Sequence, residues 1–321
     1  MKAVRGAIFQ LVSAGWSTAS AIGRTLAERG LLKQEQIPSK VISVGNIQVG
    51  GAGKTPLVAH IAREAHAMGK TVCVLSRGYR ANGEKSGGVL VPGKLAPCLV
   101  DFCGDEPALL RDLLPFAFIG FGADRRERYW EAVRLARRPI DVVIIDDGFQ
   151  NWQFKKDIEL VAVTSQPRSV VVYRDWASAL RGADLVIWTK GDEKPFCAGR
   201  PMVKVRFFLP KTAPKAAAND EPLFLVAGVA DPESVKEMAL KAGYDVRKFF
   251  PFPDHAIYDV KSMEEIISGA RSAGCKVGLT GKDWVKWREL GADKNNVTVL
   301  EPSMVFEGEG KKEWDRVLWG K

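Results

Sequence analysis

The chain has 321 residues, with 47 Lys and Arg against 38 Asp and Glu, and therefore a formal net charge of +9. Its 46% hydrophobic and 26% charged residues are the balance of a folded protein, which excludes a disordered chain, a collagen-like fibre and a disulfide-stapled miniprotein. The length favours about two domains, and the positive charge favours an anionic partner, which at this point could be nucleic acid, an anionic membrane or a phosphorylated substrate.

The first predicted element is an amphipathic helix within the first 35 residues. Four polar residues recur there at spacings of three and four, which places them on one side of a helix, largely opposite the apolar residues. The first forty residues also carry six basic and two acidic side chains. Such a helix suits an anionic membrane surface, while packing of its apolar stripe against the domain core is an equal alternative. The polar residues are Gln10, Ser13, Ser17 and Ser20, and the apolar residues are Val4, Ile8, Leu11, Val12, Trp16, Ala19 and Ile22.

A phosphate-binding loop is predicted after a short strand at residues 41–44. The order of strand, glycine-rich loop, Lys-Thr and helix is the context that a P-loop requires. Its glycines let main-chain N–H groups turn towards phosphate oxygens, Lys54 would reach the β- and γ-phosphates, and the hydroxyl of Thr55 would bind Mg²⁺. The sequence departs from the usual pattern at Gln48, where glycine is expected. The predicted nucleotide-binding residues are Gly50, Gly51, Ala52, Gly53, Lys54, Thr55 and Pro56.

An acidic pair follows a second buried strand. The apolar run 140–145 leads directly into Asp146 and Asp147. A carboxylate at the carboxyl end of a strand beside a P-loop is the usual magnesium ligand of this class of protein. Because successive residues of an extended chain point to opposite sides, at most one of the two faces a metal directly, and the other can hold a water or the neighbouring loop. Thr55, Asp146 and Asp147 are therefore the predicted Mg²⁺ ligands.

The remaining elements predict two α/β lobes. Apolar strands alternate with helices, which is the rhythm of a parallel sheet. Arg77, Arg125 and Arg126 each follow a strand end, where such sheets bind ligands, so they are candidate phosphate clamps. A stretch rich in Ala, Pro and charge at 211–222 is typical of a connection between lobes. The expected organisation is a membrane-associating helix over 1–35, a nucleotide-binding lobe over 36–212 and a smaller C-terminal α/β lobe over 213–321.

A different class of protein is suggested by the sequence TKGD at 189–192, which fits the [NT]KxD pattern of guanine-binding P-loop proteins. A regulatory GTPase or a nucleotide-driven chaperone could share the same P-loop and strand order. Against this alternative, Ile145 occupies the position that the Asp of a D-x-x-G switch motif would need, and a plain turn explains the same four residues. A nucleic-acid-binding ATPase is a third alternative, but no aromatic and basic platform or known nucleic-acid motif supports it.

Several short motifs, taken together and in this order, resemble one family of enzymes. The combination is specific, although each motif alone would be weak, and the resemblance extends from the first helix to about residue 283. The family is the tetraacyldisaccharide 4'-kinases of lipid A biosynthesis. The motifs are VGGAGKTP at 49–56, LSRGY at 75–79, GDEP at 104–107, DDGFQ at 146–150 and FPDH at 252–255.

The resemblance implies both a fold and a reaction. The fold would be P-loop NTPase-like, with two α/β/α lobes of mainly parallel sheets and the nucleotide between them. The reaction would transfer the γ-phosphate of ATP, with Mg²⁺, to the 4'-hydroxyl of a lipid-linked glucosamine disaccharide. In this family Asp105 would be the general base and His255 its partner, and a carboxylate within reach can indeed take the proton of a sugar hydroxyl. Lys54, Arg125 and Asp147 complete the catalytic set that we expect.

The resemblance also implies a location, and it has two visible limits. Family members work at the cytoplasmic face of the bacterial inner membrane, so we expect a peripheral or monotopic monomer that meets an anionic membrane surface and binds no nucleic acid. Asn151 stands where the family usually has His, and the stretch 170–180 keeps only fragments such as Arg174 and Asp175 of the usual L-P-A-G-x-L-R-E segment. These departures concern the acceptor site more than the nucleotide site.

Overall fold

The computed structural model describes residues 2–79, 81–93, 100–167, 169–210 and 222–321, with side chains from residue 9 onward. The helices are α1 Lys2–Glu28, α2 Lys54–Ala67, α3 Val100–Cys103, α4 Asp105–Leu113, α5 Arg125–Ala136, α6 Pro232–Lys241, α7 Val260–Ser272, α8 Gly281–Glu289 and α9 Gly310–Trp319. Two short 3-10 helices occupy Ala177–Gly182 and Lys294–Asn296. The strands are β1 Lys40–Asn46, β2 Val72–Ser76, β3 Gly88–Leu90, β4 Phe118–Phe121, β5 Val142–Asp146, β6 Ile158–Thr164, β7 Leu185–Lys190, β8 Met202–Phe208, β9 Leu223–Ala227, β10 Val246–Pro251, β11 Lys276–Thr280, β12 Val297–Leu300 and β13 Ser303–Phe306.

The larger lobe is built on a nine-stranded sheet in the order β13-β8-β7-β6-β1-β5-β2-β4-β3. Its central pairs are parallel, and only the edge strands β13 and β3 run antiparallel to their described neighbours. Strands β2 and β5 are buried along their whole length. Helices α2, α4 and α9 pack on one face and α5 on the other, which explains why these strands are continuously apolar.

The smaller lobe has a four-stranded parallel sheet in the order β10-β9-β11-β12. Its core contains residues of α7 and α8 on one side and of α6 on the other. Two mainly parallel sheets with flanking helices confirm the predicted fold class. The connection predicted at 211–222 lies outside the described residues except for its last one.

The end of the chain returns to the larger lobe. Strand β13 pairs with β8, and Trp314 and Leu318 of α9 are buried in the core beneath α2. Trp314 also donates its indole N–H to Glu64 of α2 at 2.8 Å. The expectation that residues 213–321 form one C-terminal lobe is therefore wrong for this last segment. A short strand carries no local mark of the sheet it joins, because its partner is set by long-range pairing.

Helix α1 packs on the larger lobe with its serine stripe rather than with its apolar side. Ser13, Ser17 and Ser20 are buried, whereas the exposed fraction is 75% for Leu11 and 48% for Trp16. The alternative in which the apolar stripe packs on the core is therefore wrong. Gln10, placed on the polar stripe by its spacing, is exposed. Within the described residues, no helix is long and apolar enough to cross a membrane.

Candidate active site

The glycine-rich loop joins the end of β1 to the first turn of α2, as a P-loop does. Gly50, Gly51 and Gly53 have φ values of 78°, 45° and 70°, in the left-handed region that favours glycine. A Cβ atom on Gly53 would lie 2.3 Å from the ring of Phe207, so a side chain there would require that ring to shift. The loop therefore depends on its glycines, and it places Lys54 at the N-terminus of α2. That terminus carries positive potential that attracts phosphate.

Gln48 explains why this loop lacks the usual glycine at its start. Its side chain is buried, and its amide nitrogen donates to the hydroxyl of Tyr173 at 2.9 Å and to the carbonyl of Gln166 at 3.0 Å. Its amide oxygen accepts from both the main-chain N–H and the hydroxyl of Thr164, at 2.9 and 3.0 Å. Gln48 thus fastens the loop to the end of β6 and to the segment around Tyr173.

The two adjacent carboxylates after β5 have opposite surroundings. Asp146 is buried and accepts one long hydrogen bond, 3.4 Å from the hydroxyl of Ser76. Burial, together with the nearby charge of Glu106, raises the pKa of Asp146 to about 7. Asp147 has a left-handed backbone, with φ at 51°. Burial would raise the pKa of Asp147, but the charges of Lys54 and Arg174 outweigh it and hold that pKa well below its ordinary value.

Arg174 is a site residue whose role the sequence did not reveal. Its guanidinium forms a bidentate pair with Asp147, both N–O distances being 2.7 Å, and it also donates to the amide oxygen of Asn46. Asp147 in turn lies 3.2 Å from the ammonium of Lys54. The neighbouring residue, Asp175, is buried and accepts from Ser20 and Arg24 of α1 and from Gln150. The sequence signals were a charged pair inside an otherwise apolar stretch and the match of that pair to a fragment of the family's usual segment.

The predicted base and its histidine lie side by side, although 150 residues separate them in the chain. Asp105 is the first residue of α4 and is buried, and its Oδ2 lies 3.0 Å from Nδ1 of His255. An ionised carboxylate only accepts, so the histidine donates through Nδ1. Burial would raise the pKa of Asp105, but the hydrogen bond from His255 and the charges of Lys282 and Lys286 hold it well below its ordinary value.

Of the three candidate phosphate clamps, Arg125 lies beside the acidic pair, whereas the other two form ion pairs elsewhere. The Arg125 side chain is buried and its guanidinium lies 3.5 Å from the carbonyl oxygen of Asp147. Burial lowers the pKa of Arg125, and the charges of both adjacent carboxylates oppose that shift. Arg77 forms an ion pair with Glu84 at 2.7 Å, and Arg126 forms one with the carboxylate that caps α5.

The smaller lobe reaches the P-loop through the turn between β9 and α6. The Cβ of Ala230 lies 3.4 Å from the position that a Cβ on Gly50 would take. The ammonium of Lys190 lies 2.9 Å from the carboxylate of Asp231, so the lysine of the TKGD stretch forms an ion pair between the lobes. Asn151, the first departure from the family pattern, bonds within its own loop among the described contacts, to Gly148 through its main-chain N–H and to Gln153 through its side chain.

Comparison with known proteins agrees with this geometry. A family model described as tetraacyldisaccharide-1-P 4'-kinase matches residues 6–318. The chain is 33% identical over 280 residues to the tetraacyldisaccharide 4'-kinase of Pelobacter propionicus, covering 80% of this chain and 76% of the relative. It is 30% identical over 301 residues to that of Geobacter sulfurreducens, covering 88% and 84%. The crystal structure of the "apo" form of LpxK from Aquifex aeolicus in complex with ATP superposes with a TM-score of 0.77 at 25% identity, covering 98% of this chain and all of that one.

Proposed function

The chain belongs to the tetraacyldisaccharide-1-P 4'-kinase family and is an ATP-dependent kinase of lipid A biosynthesis, and on this basis we propose how its residues share the reaction. The acceptor is the 4'-hydroxyl of a lipid-linked glucosamine disaccharide. This function replaces the regulatory GTPase suggested by residues 189–192. Lys190 of that stretch instead forms an ion pair with Asp231.

The P-loop residues 50–56 bind the phosphates of ATP. Lys54 reaches the β- and γ-phosphates, and Asp147 orients it through the 3.2 Å ion pair while Arg174 holds Asp147. Arg125 adds a buried positive charge beside the same group and stabilises the charge that develops on the transferred phosphate. The nucleotide would therefore meet three cations, of which Lys54 and Arg174 are paired with the carboxylate of Asp147 and Arg125 lies beside its main-chain carbonyl.

The oxygen atoms at this site fit Mg²⁺. Carboxylate and hydroxyl oxygens are the ligands that this ion prefers, and it retains several waters and phosphate oxygens as further ligands. Asp146 is buried with little compensation for its charge, as its pKa of about 7 indicates, so a divalent cation would stabilise its ionised form. Asp146 and the hydroxyl of Thr55 would hold the ion, with Asp147 adjacent. Bound there, Mg²⁺ would neutralise charge on the phosphate oxygens.

The 3.0 Å contact between Asp105 and His255 is the observation that carries the catalytic assignment. As the 4'-oxygen bonds to the γ-phosphorus, the bond from that phosphorus to the β-phosphate oxygen breaks, and Asp105 accepts the hydroxyl proton. A carboxylate with a low pKa is a weak base, but a loose phosphoryl-transfer transition state asks for little proton transfer before the bond forms. His255 keeps the carboxylate oriented. Because one chain supplies both groups, we expect a monomer to be active.

The membrane surface enters the proposal through α1. Leu11, Val12, Trp16 and Ile22 are exposed on one side of this helix, whose other side is held to the larger lobe. Exposed apolar side chains beside basic ones suit the interface of an anionic membrane. The kinase would thus work as a peripheral or monotopic protein at the cytoplasmic face of the inner membrane, where a lipid-linked acceptor is found. No nucleic acid takes part.

Phosphate transfer from ATP to a lipid A disaccharide 1-phosphate acceptor tests the function and the base together. We expect the Asp105→Ala variant to lose transfer by about 10²- to 10⁴-fold while it still binds ATP. The control is Asp101→Ala, an exposed carboxylate on α3, which should transfer normally. Full activity of Asp105→Ala would remove this residue from the role of base. A wild-type protein that phosphorylates no lipid acceptor would refute the function itself.

A further inference from the structure

Two lysines of the smaller lobe contact the acidic first turn of α4 in the larger lobe. The ammonium of Lys286 lies 3.1 Å from Oδ2 of Asp105 and donates to the carbonyl of Ala256, in the loop that carries His255. The ammonium of Lys282 lies 3.4 Å from Glu106 and 3.3 Å from Asp254. Each lysine therefore bridges the Asp105 side and the His255 side of the site.

These lysines are held by a rigid support within the smaller lobe. Asp283 lies between them on α8 and is fully buried. Its carboxylate accepts the hydroxyls of Tyr258 and Thr280, at 2.7 and 2.6 Å, and the main-chain N–H of Gly228 at 3.0 Å. Tyr258 follows the histidine loop, and Gly228 begins the turn that meets the P-loop. One buried carboxylate thus joins α8, the histidine loop and that turn.

Helix α8 also packs closely on α4. A Cβ on Gly281 would lie 2.7 Å from Leu109, so the two helices approach at a point where only glycine fits without a shift. Arg288, near the other end of α8, pairs with Asp112 of α4 at 2.5 Å. The lysines consequently have a defined position relative to Asp105 rather than the freedom of surface side chains.

We propose that Lys282 and Lys286 are positioning residues of the transfer reaction, which hold the Asp105 carboxylate and the His255 loop in one geometry when the lobes are in contact. His255, Lys282 and Lys286 each make their shortest contact with Asp105 at the same carboxylate oxygen, Oδ2. The oxygen Oδ1 is thereby left to accept the proton from the sugar hydroxyl. The inference rests on the proposed role of Asp105 as the base.

The charges around Asp105 predict what happens when a lysine is removed. The groups that face it are Glu106 on its own helix, Asp254 and His255 on the histidine loop, and the two lysines of α8. Three carboxylates therefore meet two ammonium groups and one imidazole. Without one ammonium, the ionised form of Asp105 is less favoured and its pKa rises. Because the base works as the carboxylate, the acidic limb of the rate profile then moves to higher pH.

The experiment compares Lys286→Met and Lys286→Arg with the wild type in transfer from ATP to the lipid A disaccharide 1-phosphate acceptor. We expect kcat of Lys286→Met to fall by about ten- to a hundredfold, with KM for ATP unchanged and the acidic limb of kcat shifted to higher pH. Lys286→Arg should recover part of the rate and return the limb towards its wild-type position. Lys261→Met is the matched control, since Lys261 is an exposed lysine on α7, and it should behave as the wild type.

Several results would overturn the inference. The first is that Lys286→Met keeps the wild-type rate and pH profile. The second is that kcat of Lys286→Met falls while the acidic limb stays in place and Lys286→Arg recovers no activity; this result would indicate that Lys286 has a structural role only. If Lys286→Met has a lowered melting temperature or no longer binds ATP, Lys282→Met is measured instead, and the same outcomes decide the inference. Full activity of Asp105→Ala would refute the role of Asp105 as the base, and this inference would fail with it. If Asp105→Ala is inactive but the lysine variants have wild-type activity, only the inference about the lysines is overturned.

Discussion

Two non-glycine residues of the site have left-handed backbones, Asp147 at φ 51° and His255 at φ 60°. This region costs free energy for residues with a Cβ, and it persists where surrounding contacts compensate. Here the compensation is visible, because the carboxylate of Asp147 is fixed by Arg174 and Lys54 and the imidazole of His255 by Asp105. Both residues thus keep an unusual conformation at the point where their side chains meet a functional partner.

At the same scale, Gln48→Gly should destabilise the protein although it restores the usual P-loop glycine. The variant loses the side-chain hydrogen bonds to Tyr173, Gln166 and Thr164, and the main-chain N–H and hydroxyl of the buried Thr164 lose the acceptor that Gln48 supplies. We expect the free energy of unfolding to fall by about 2–4 kcal/mol, measured by urea denaturation. Gln34→Gly, which removes one 3.4 Å bond from a partly exposed residue, is the control and should cost about 1 kcal/mol or less. Equal effects of both changes would contradict this account.

At the scale of elements, α1 is bound to the larger lobe by polar contacts. Asp175 receives the hydroxyl of Ser20 at 2.8 Å and the guanidinium of Arg24 at 2.6 Å, and Ser13 accepts the main-chain N–H of Tyr173. A Cβ on Gly23 would lie 2.6 Å from the ring of Trp152, so the helix also approaches closely at its C-terminal half. The apolar side of the helix is consequently the side that faces away from the protein.

A membrane role of this helix predicts a selective effect of two substitutions. Leu11→Ser with Trp16→Ser should weaken binding to anionic phospholipid vesicles by tenfold or more, since burying each large apolar side chain contributes about 1.5–3 kcal/mol. The melting temperature should stay unchanged, because both side chains are exposed in the folded protein. Cosedimentation with vesicles measures the effect, and Thr18→Ser, an exposed polar position on the same helix, is the control. Undiminished binding of the double variant would show that the helix is not the anchor.

At the scale of the whole molecule, the chain leaves the larger lobe, builds the smaller one and returns. Strand β13 and helix α9 close the larger lobe, and Trp314 and Trp319 of α9 both donate to Glu64 of the P-loop helix. The smaller lobe is therefore attached at both of its ends. Such a double attachment limits how the two halves of the site can separate, which suits a dyad formed by Asp105 and His255.

This arrangement predicts that the C-terminal helix supports nucleotide binding. Trp314→Ala should lower the free energy of unfolding by about 3–5 kcal/mol, because the side chain is fully buried against α2. Hydrogen exchange should become faster in residues 54–67 and 202–208, and affinity for ATP should fall. Trp16→Ala, which truncates an exposed tryptophan, should leave both regions protected. Faster exchange confined to the smaller lobe would contradict the placement of α9.

The sequence by itself determined the parts of the site that are contiguous in the chain. The P-loop glycines with Lys54, and the acidic pair at the end of β5, could be predicted because their chemistry depends on neighbouring residues and on the strand or helix they terminate. The resemblance to a kinase family added Asp105 and His255, and the comparisons show that family. The alternation of strands and helices likewise predicted the mainly parallel sheets that the structure contains.

Only the tertiary structure decided which distant residues meet. Arg174 on Asp147, and Lys282 and Lys286 on Asp105, come from segments whose local pattern is that of ordinary surface or loop residues. Periodicity predicted the serine stripe of α1, but only the structure shows that this side of the helix is the buried one. Likewise, only the structure shows that β13 joins the sheet of the larger lobe. The physical reason is common to all of them. Long-range ion pairs, helix docking and strand pairing depend on complementary partners elsewhere in the fold, and no short segment contains that information.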